Sequence, residues 1–209
     1  MSALDRIAHF QNRRDEVPNQ ELARALAAAK GQAGIHEIAE NLWNKDKNIQ
    51  SDCLKVLYET GYIDPALIAD FTGDFLRLLK SRNNRLVWGA MIALSTVADI
   101  KADEIFLHLD EVIEVMQKGS VITMDNGIKI LGLVASQKDE FRRVIFPTLL
   151  DHLKTCRPKE VPQHAEKTLP AVNSGNKSEF IQVLEKRLVD MTASQAARLK
   201  KTIKTAEKR

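Results

Sequence analysis

Aromatic residues are scarce in this chain. Trp, Tyr and Phe make up 5% of its 209 residues, although hydrophobic residues make up 44%. The interior must therefore be filled by Leu, Ile, Val and Ala, which suits many closely packed helices. Cysteine is scarcer still, with only Cys53 and Cys156 and no CxxC. That argues against a disulfide framework and fits a reducing, cytoplasmic compartment. The opening residues, MSALDRIAHFQNRRDE, carry charges where a secretory leader needs an apolar run. No stretch reaches the roughly 18 uncharged apolar residues of a membrane span. A soluble protein is expected.

Catalytic motifs are missing as well. The glycines form neither GxGxxG nor a phosphate loop, and there is no HExxH or GxSxG. Of the five histidines, His9, His36, His108, His152 and His164, no two stand four residues apart on a helix face. A metal site would then need a coincidence of tertiary structure. Asp110–Glu111 and Asp139–Glu140 read as solvated helix charges. The expectation is a chain with no catalytic residues, no metal and no cofactor.

What the sequence does contain is a repeat. Cys53, Ala90, Gly127 and Ala165 follow one another at 37, 37 and 38 residues and hold one small-residue slot. Leu57, Leu94, Leu131 and Leu169 come four residues later each time. Upstream, Leu42, Leu79, Met116 and Leu153 recur at 37, 37 and 37. Self-similarity at a period of roughly 20–50 residues marks a stacked array. Within a unit the apolar spacing is helical. Counting from Leu86 as zero, Ala90, Ala93, Leu94 and Val97 fall within about 100° of arc at 100° per residue. No segment alternates with period two for long enough to suggest a sheet.

Helices are predicted over about 3–14, 19–30, 33–44, 49–60, 65–80, 85–98, 102–117, 121–136, 139–155, 161–172, 178–191 and 193–207. The first is short and amphipathic through Leu4, Ile7 and Phe10, and the whole reads as about eleven helices in antiparallel pairs. Pro18 should break the first segment, Asn19 should cap the second, and Thr192 with Gln195 should form a capping box.

Asn44-Lys45-Asp46-Lys47-Asn48-Ile49-Gln50-x-x-Cys53-x-x-x-Leu57 resembles the start of the second helix in a HEAT or armadillo-type repeat. Leu86-Val87-x-x-Ala90-x-x-Ala93-Leu94 resembles it more closely. The resemblance implies an all-α, α-α superhelical solenoid of one domain. Residues 1–32 would be N-terminal capping helices, 33–172 four regular repeats and 173–209 C-terminal capping helices with a basic tail. It also implies a concave binding surface lined by second helices. The Arg usual after the aliphatic residue is replaced by Gln50, Val87, Met124 and Pro162, so packing rather than a polar ladder must set the curvature. Asn84-x-x-x-Trp88 further resembles the Trp-centred helix start of bacterial HEAT-like alkylpurine DNA glycosylases. Those carry arginines after the Trp, whereas Gly89, Ala90 and Met91 stand here, so that resemblance is one of scaffold.

Opposite the buried stripe, positions 2, 6 and 9 of each second helix give a candidate partner-binding face of Lys55, Tyr58, Trp88, Ile92, Asp125, Lys129 and Lys167. Trp88 would be its aromatic anchor, whereas Trp43, beside Leu42 at a helix end, should pack inward. Charge is uneven as well. From residue 193 onward, six Lys/Arg (Arg198, Lys200, Lys201, Lys204, Lys208 and Arg209) against Glu207 give +5, which leaves 3 − 5 = −2 for the rest. The functional expectation is a non-catalytic scaffold that engages a protein or peptide. Nucleic acid is the alternative, held by the lysine stripe and by Arg198, Lys200, Lys201 and Lys204 in the basic tail. No membrane or small-molecule partner is expected.

Overall fold

The computed structural model describes residues 2–209, and among them there is helix and turn but no strand. The helices are α1 (Val17–Ala29), α2 (Gln32–Glu40), α3 (Lys47–Ile63), α4 (Thr72–Leu78), α5 (Asn84–Val97) and α6 (Ala102–Phe106). They continue as α7 (Leu109–Lys118), α8 (Val121–Gln137), α9 (Asp139–Thr155), α10 (Val161–Thr168), α11 (Lys177–Arg187) and α12 (Ala193–Glu207). None is long and apolar enough to cross a membrane. The chain divides into two compact units, Met1–Asn126 and Gly127–Arg209.

The repeat positions are the core. Cys53, Ala90 and Ala165 are fully buried and Gly127 is buried with them. Leu57, Leu94, Leu131, Leu42, Leu79, Met116 and Leu153 are at most 4% exposed, and only Leu169 is half-buried. In the first unit α3 lies between α1 and α5, and α4 packs on α5. In the second, α12 packs on α10 and α11, and α11 packs on α9.

Helix starts follow local chemistry. The Asp46 side chain accepts from the Asn48 amide at 2.7 Å and that of Asn83 from Arg85 at 3.0 Å, satisfying first-turn donors. Thr192 and Gln195 form the reciprocal capping box.

Several predicted helices are shorter or broken. Residues 3–14 hold only a 3-10 turn at Leu4–Arg6, and Asn12 adopts the left-handed region at φ 53°. Pro18 does not stop a helix but sits in the first turn of α1, where its missing donor costs nothing. Asn19 is therefore inside α1 rather than capping it. It is 1% exposed, accepts from the Ala8 amide and donates to Asp52, tying the N-terminal segment to α3. The 65–80 segment opens with two 3-10 turns before α4. The 102–117 segment divides into α6 and α7 around Leu107–His108. Helix α10 gives way to a 3-10 turn at Leu169–Ala171, where Pro170 has no amide to donate. With 102–117 divided and the N-terminal segment not an α-helix, twelve α-helices stand among the described residues, in keeping with the all-α fold of about eleven expected.

Two glycines set how closely helices meet. A Cβ on Gly132 of α8 would lie 2.1 Å from the Lys167 carbonyl oxygen of α10, a backbone atom that cannot swing aside. Gly89 of α5 faces Leu54 of α3, with 2.6 Å to its Cδ2. Gly73 of α4 would meet nothing nearer than a Glu104 side-chain oxygen at 3.5 Å. Gly132→Ala is thus expected to destabilise the protein by about 1–3 kcal/mol, because the two helix backbones must separate. Gly73→Ala should stabilise it by about 0.5–1 kcal/mol through lower chain entropy in the unfolded state. Urea denaturation of the two variants checks both signs, and a harmless Gly132→Ala would refute the close approach.

Candidate binding surfaces

The sequence places Lys55 on a solvated stripe, but the structure encloses it. Lys55 is 8% exposed and Tyr58 5%. The Lys55 Nζ donates to Glu59 at 2.6 Å, pairs with Glu16 at 2.8 Å and lies 4.8 Å from the Tyr58 ring centroid. Arg85 approaches Glu16 from the other side at 3.8 Å. The reason is the packing of α3 on both flanks: Glu16, just before α1, and Arg85, at the start of α5, close over this face. Burial works against the Lys55 charge, but its hydrogen bonds to Glu16 and Glu59 outweigh that and raise its pKa. Burial raises the Tyr58 pKa, with Lys55 partly opposing it.

The rest of the stripe divides. Trp88 is half-buried and lines a narrow cleft with Glu16, Lys55, Tyr58 and Arg85. Ile92 is 7% exposed, within the core. Asp125 is half-buried in the first unit. Lys129 and Lys167 are half-buried in the second, and all three side chains are engaged in interactions. Positions 2, 6 and 9 are thus largely contact faces between neighbouring helices, as Gly132 already shows, rather than a continuous solvated ridge.

Trp43 corrects the sequence reading in the other direction. It is 47% exposed, because the 3-10 turn after α2 holds Leu42 inward and turns the next side chain out. Its indole Nε1 donates to Asp74 Oδ1 at 3.0 Å. The Arg77 guanidinium lies 4.6 Å from its ring centroid and is paired with Asp74. This ring forms part of an open groove of about 600 Å³ lined also by Lys47, Gln50, Lys80, Arg82 and Asn84. Lys80 leans to Glu111 at 3.4 Å, while Lys47 and Arg82 have no ion partner among the described residues.

The tertiary coincidence that a metal site would need brings three candidate ligand side chains together. His152 and His164 meet at 2.8 Å, Nε2 to Nδ1, and the Cys156 thiol joins them. The pair of residues that gives the sequence signal is His152 and Cys156, four apart at the end of α9; a search for histidine pairs alone passes over it. Burial raises the Cys156 pKa, with Arg187 pulling the other way. Cys53, by contrast, is enclosed in the repeat core, and burial pushes its thiol up to about 12.

In the basic tail, α12 turns Leu199, Thr202, Ile203 and Ala206 inward and leaves Lys200, Lys201 and Lys204 exposed. Arg198 is not free, since it donates to Glu166 through Nε at 2.7 Å and Nη2 at 2.5 Å. That bond, more than the burial opposing it, lowers the Glu166 pKa.

Replacing Lys55 by the apolar, similarly long Met is expected to lower stability by about 2 kcal/mol, the scale of hydrogen bonds to a charged group. Because the folded pKa of Lys55 lies above its unfolded value, this contribution is complete below the ordinary lysine pKa. It is lost as pH rises through the raised folded value. Denaturation of the two proteins at neutral and strongly alkaline pH checks it: the difference between them should shrink only at the alkaline end.

No family model and no curated protein matches the sequence. Solved structures do. An engineered protein superposes with a TM-score of 0.65 at 18% identity over 99% of this chain and 98% of its own. A designed armadillo repeat protein gives 0.64 at 11% identity, covering 93% and 96% of the two chains. A second designed armadillo repeat protein, in complex with the peptide (KR)4, gives 0.67 at 13% identity over 99% of each. At these identities the likeness is one of fold, and the chain has an all-α helical-repeat fold of the armadillo and HEAT kind.

Proposed function

We propose that the chain is a non-catalytic scaffold that binds an extended, acidic peptide segment of a protein partner. The observation that carries this reading is the groove beside Trp43. An exposed indole, fixed at its edge by Asp74 and at its face by Arg77, stands among Lys47, Lys80 and Arg82. Aromatic and arginine side chains dominate binding energy where they can be covered, and cations around them favour an acidic partner. A peptide-bound designed armadillo protein supports the use of such a scaffold for peptides, although its partner is basic. The stripe of Lys55, Tyr58, Trp88, Ile92, Asp125, Lys129 and Lys167 contributes through Trp88 alone in this reading, since its other first-unit members are buried or engaged. Cys53 and Cys156, both unpaired, agree with a reducing cytoplasm.

Nucleic acid is the second reading, favoured by the exposed Lys200, Lys201 and Lys204 of α12 together with the cations of the groove. Salt separates the two. Phosphate contacts make log K fall steeply with log salt, whereas an anchored peptide depends on it weakly.

Trp43→Ala is expected to weaken binding of an aspartate- and glutamate-rich peptide by about 2 kcal/mol or more, near thirtyfold. Lys47→Ala or Arg82→Ala should each change it by less than about 1 kcal/mol and act mainly on the association rate. Titration of a dye-labelled peptide followed by fluorescence anisotropy measures this in each variant. Equal affinity of the Trp43→Ala variant would reject the groove. Tighter, steeply salt-dependent binding of single-stranded DNA would favour the second reading.

A further inference from the structure

We propose that His152, Cys156 and His164 form a zinc-binding site at the junction of α9 and α10. One ligand atom from each lies within 4.8 Å of the other two. The geometry needed is close to the geometry present. Two imidazole nitrogens on one tetrahedral zinc, at about 2.0–2.1 Å each, stand about 3.4 Å apart, and a thiolate at about 2.3 Å stands about 3.6 Å from either. The two nitrogens here are 2.8 Å apart, so the pair opens by about 0.6 Å while the thiol closes by up to about 1.2 Å through rotation about its own side chain.

Three features of the chain favour a cation at this place. His152 and Cys156 lie at the carboxyl end of α9, where unpaired carbonyls give the helix its partial negative charge. That end already holds one cation: Arg187 donates to the carbonyls of Leu153 and Cys156 at 2.6 and 2.8 Å. His164 is fully buried, and a side chain with two nitrogens in the interior is held by what it bonds. Two imidazoles and a thiolate suit zinc and exclude the oxygen-seeking magnesium and calcium. The net charge of the loaded site would be +1, which limits the repulsion from Arg187. The fourth position is left to water, since Glu160 is held by Arg157. A zinc ion there would staple the end of α9 to α10 across the turn at residues 157–160. This site is independent of the Trp43 groove, which lies in the other unit.

The full-length chain, stripped by a chelator, is titrated with zinc and separately with cobalt(II). One equivalent of zinc should bind, and cobalt should give visible tetrahedral ligand-field bands with a thiolate charge-transfer band. Cys156→Ser should abolish the charge-transfer band, and His152→Ala should weaken zinc binding by more than about tenfold. A histidine pair that is only a structural hydrogen bond would show no stoichiometric zinc and no such band, which overturns the proposal. So does zinc binding unchanged in both variants. If either variant fails to fold, zinc must still slow alkylation of Cys156 in the unsubstituted chain, where buried Cys53 reacts last; an unchanged rate refutes the site.

Discussion

Two helices approach only as closely as the side chains between them allow, and in each unit the helices meet where those side chains are small or absent. Gly89 brings α5 against Leu54, Gly132 brings α8 against the backbone of α10, and Ala90 and Ala165 hold the buried small-residue slot of their repeats. Close approach leaves Leu57 and Leu94 in the first unit and Leu131 in the second fully buried, with Phe75 and Phe180 enclosed among the aliphatic side chains of their own units. It has a second effect. Once the helices lie so near, a polar side chain on the contact face cannot reach water and must find a partner inside. Lys55 does so between Glu16 and Glu59, and its Nζ rests on Tyr58.

The repeat was legible because its period is written in the apolar residues, and burial of Leu42, Leu79, Met116 and Leu153 follows the 37-residue spacing. Helix starts were legible where a side chain supplies the cap, as at Asp46, Asn83 and Thr192. Helix breaks without a glycine or proline signal were not, as at Leu107–His108. The face of each helix was harder still. A helical wheel separates one buried arc from the rest, but a helix packed on both flanks has two, and the second carried Lys55, Tyr58 and Ile92 out of the solvent. Trp43 failed for a different reason: one turn of 3-10 geometry rotates a side chain away from where the α-helical count would place it. The His152–Cys156–His164 cluster joins two helices through a turn, and only its i,i+4 half was present in the sequence as a pattern.

Function in such a fold is carried by side chains added to a scaffold whose packing is already complete. The groove beside Trp43 sets cations, an indole and amides along an open surface. The groove is also built by turns rather than by helix interiors, since Trp43, Lys47 and Arg82 all lie at or beside helix ends. Its residues can therefore vary without disturbing the buried contacts that hold α3 and α5 together.

Arg187 has a consequence beyond capping. Its guanidinium completes the last turn of α9 from 31 and 34 residues further along the chain, and Lys177 does the same for α12, donating to the carbonyls of Glu207 and Arg209 at 3.0 and 2.8 Å. Both helices take donors for their last carbonyls from α11. Opening of α11 would uncover the end of α9 and release the final residues of α12 in the same event. The segment from α9 to the last residue should therefore exchange its amide hydrogens as one cooperative block, with no helix in it fraying alone.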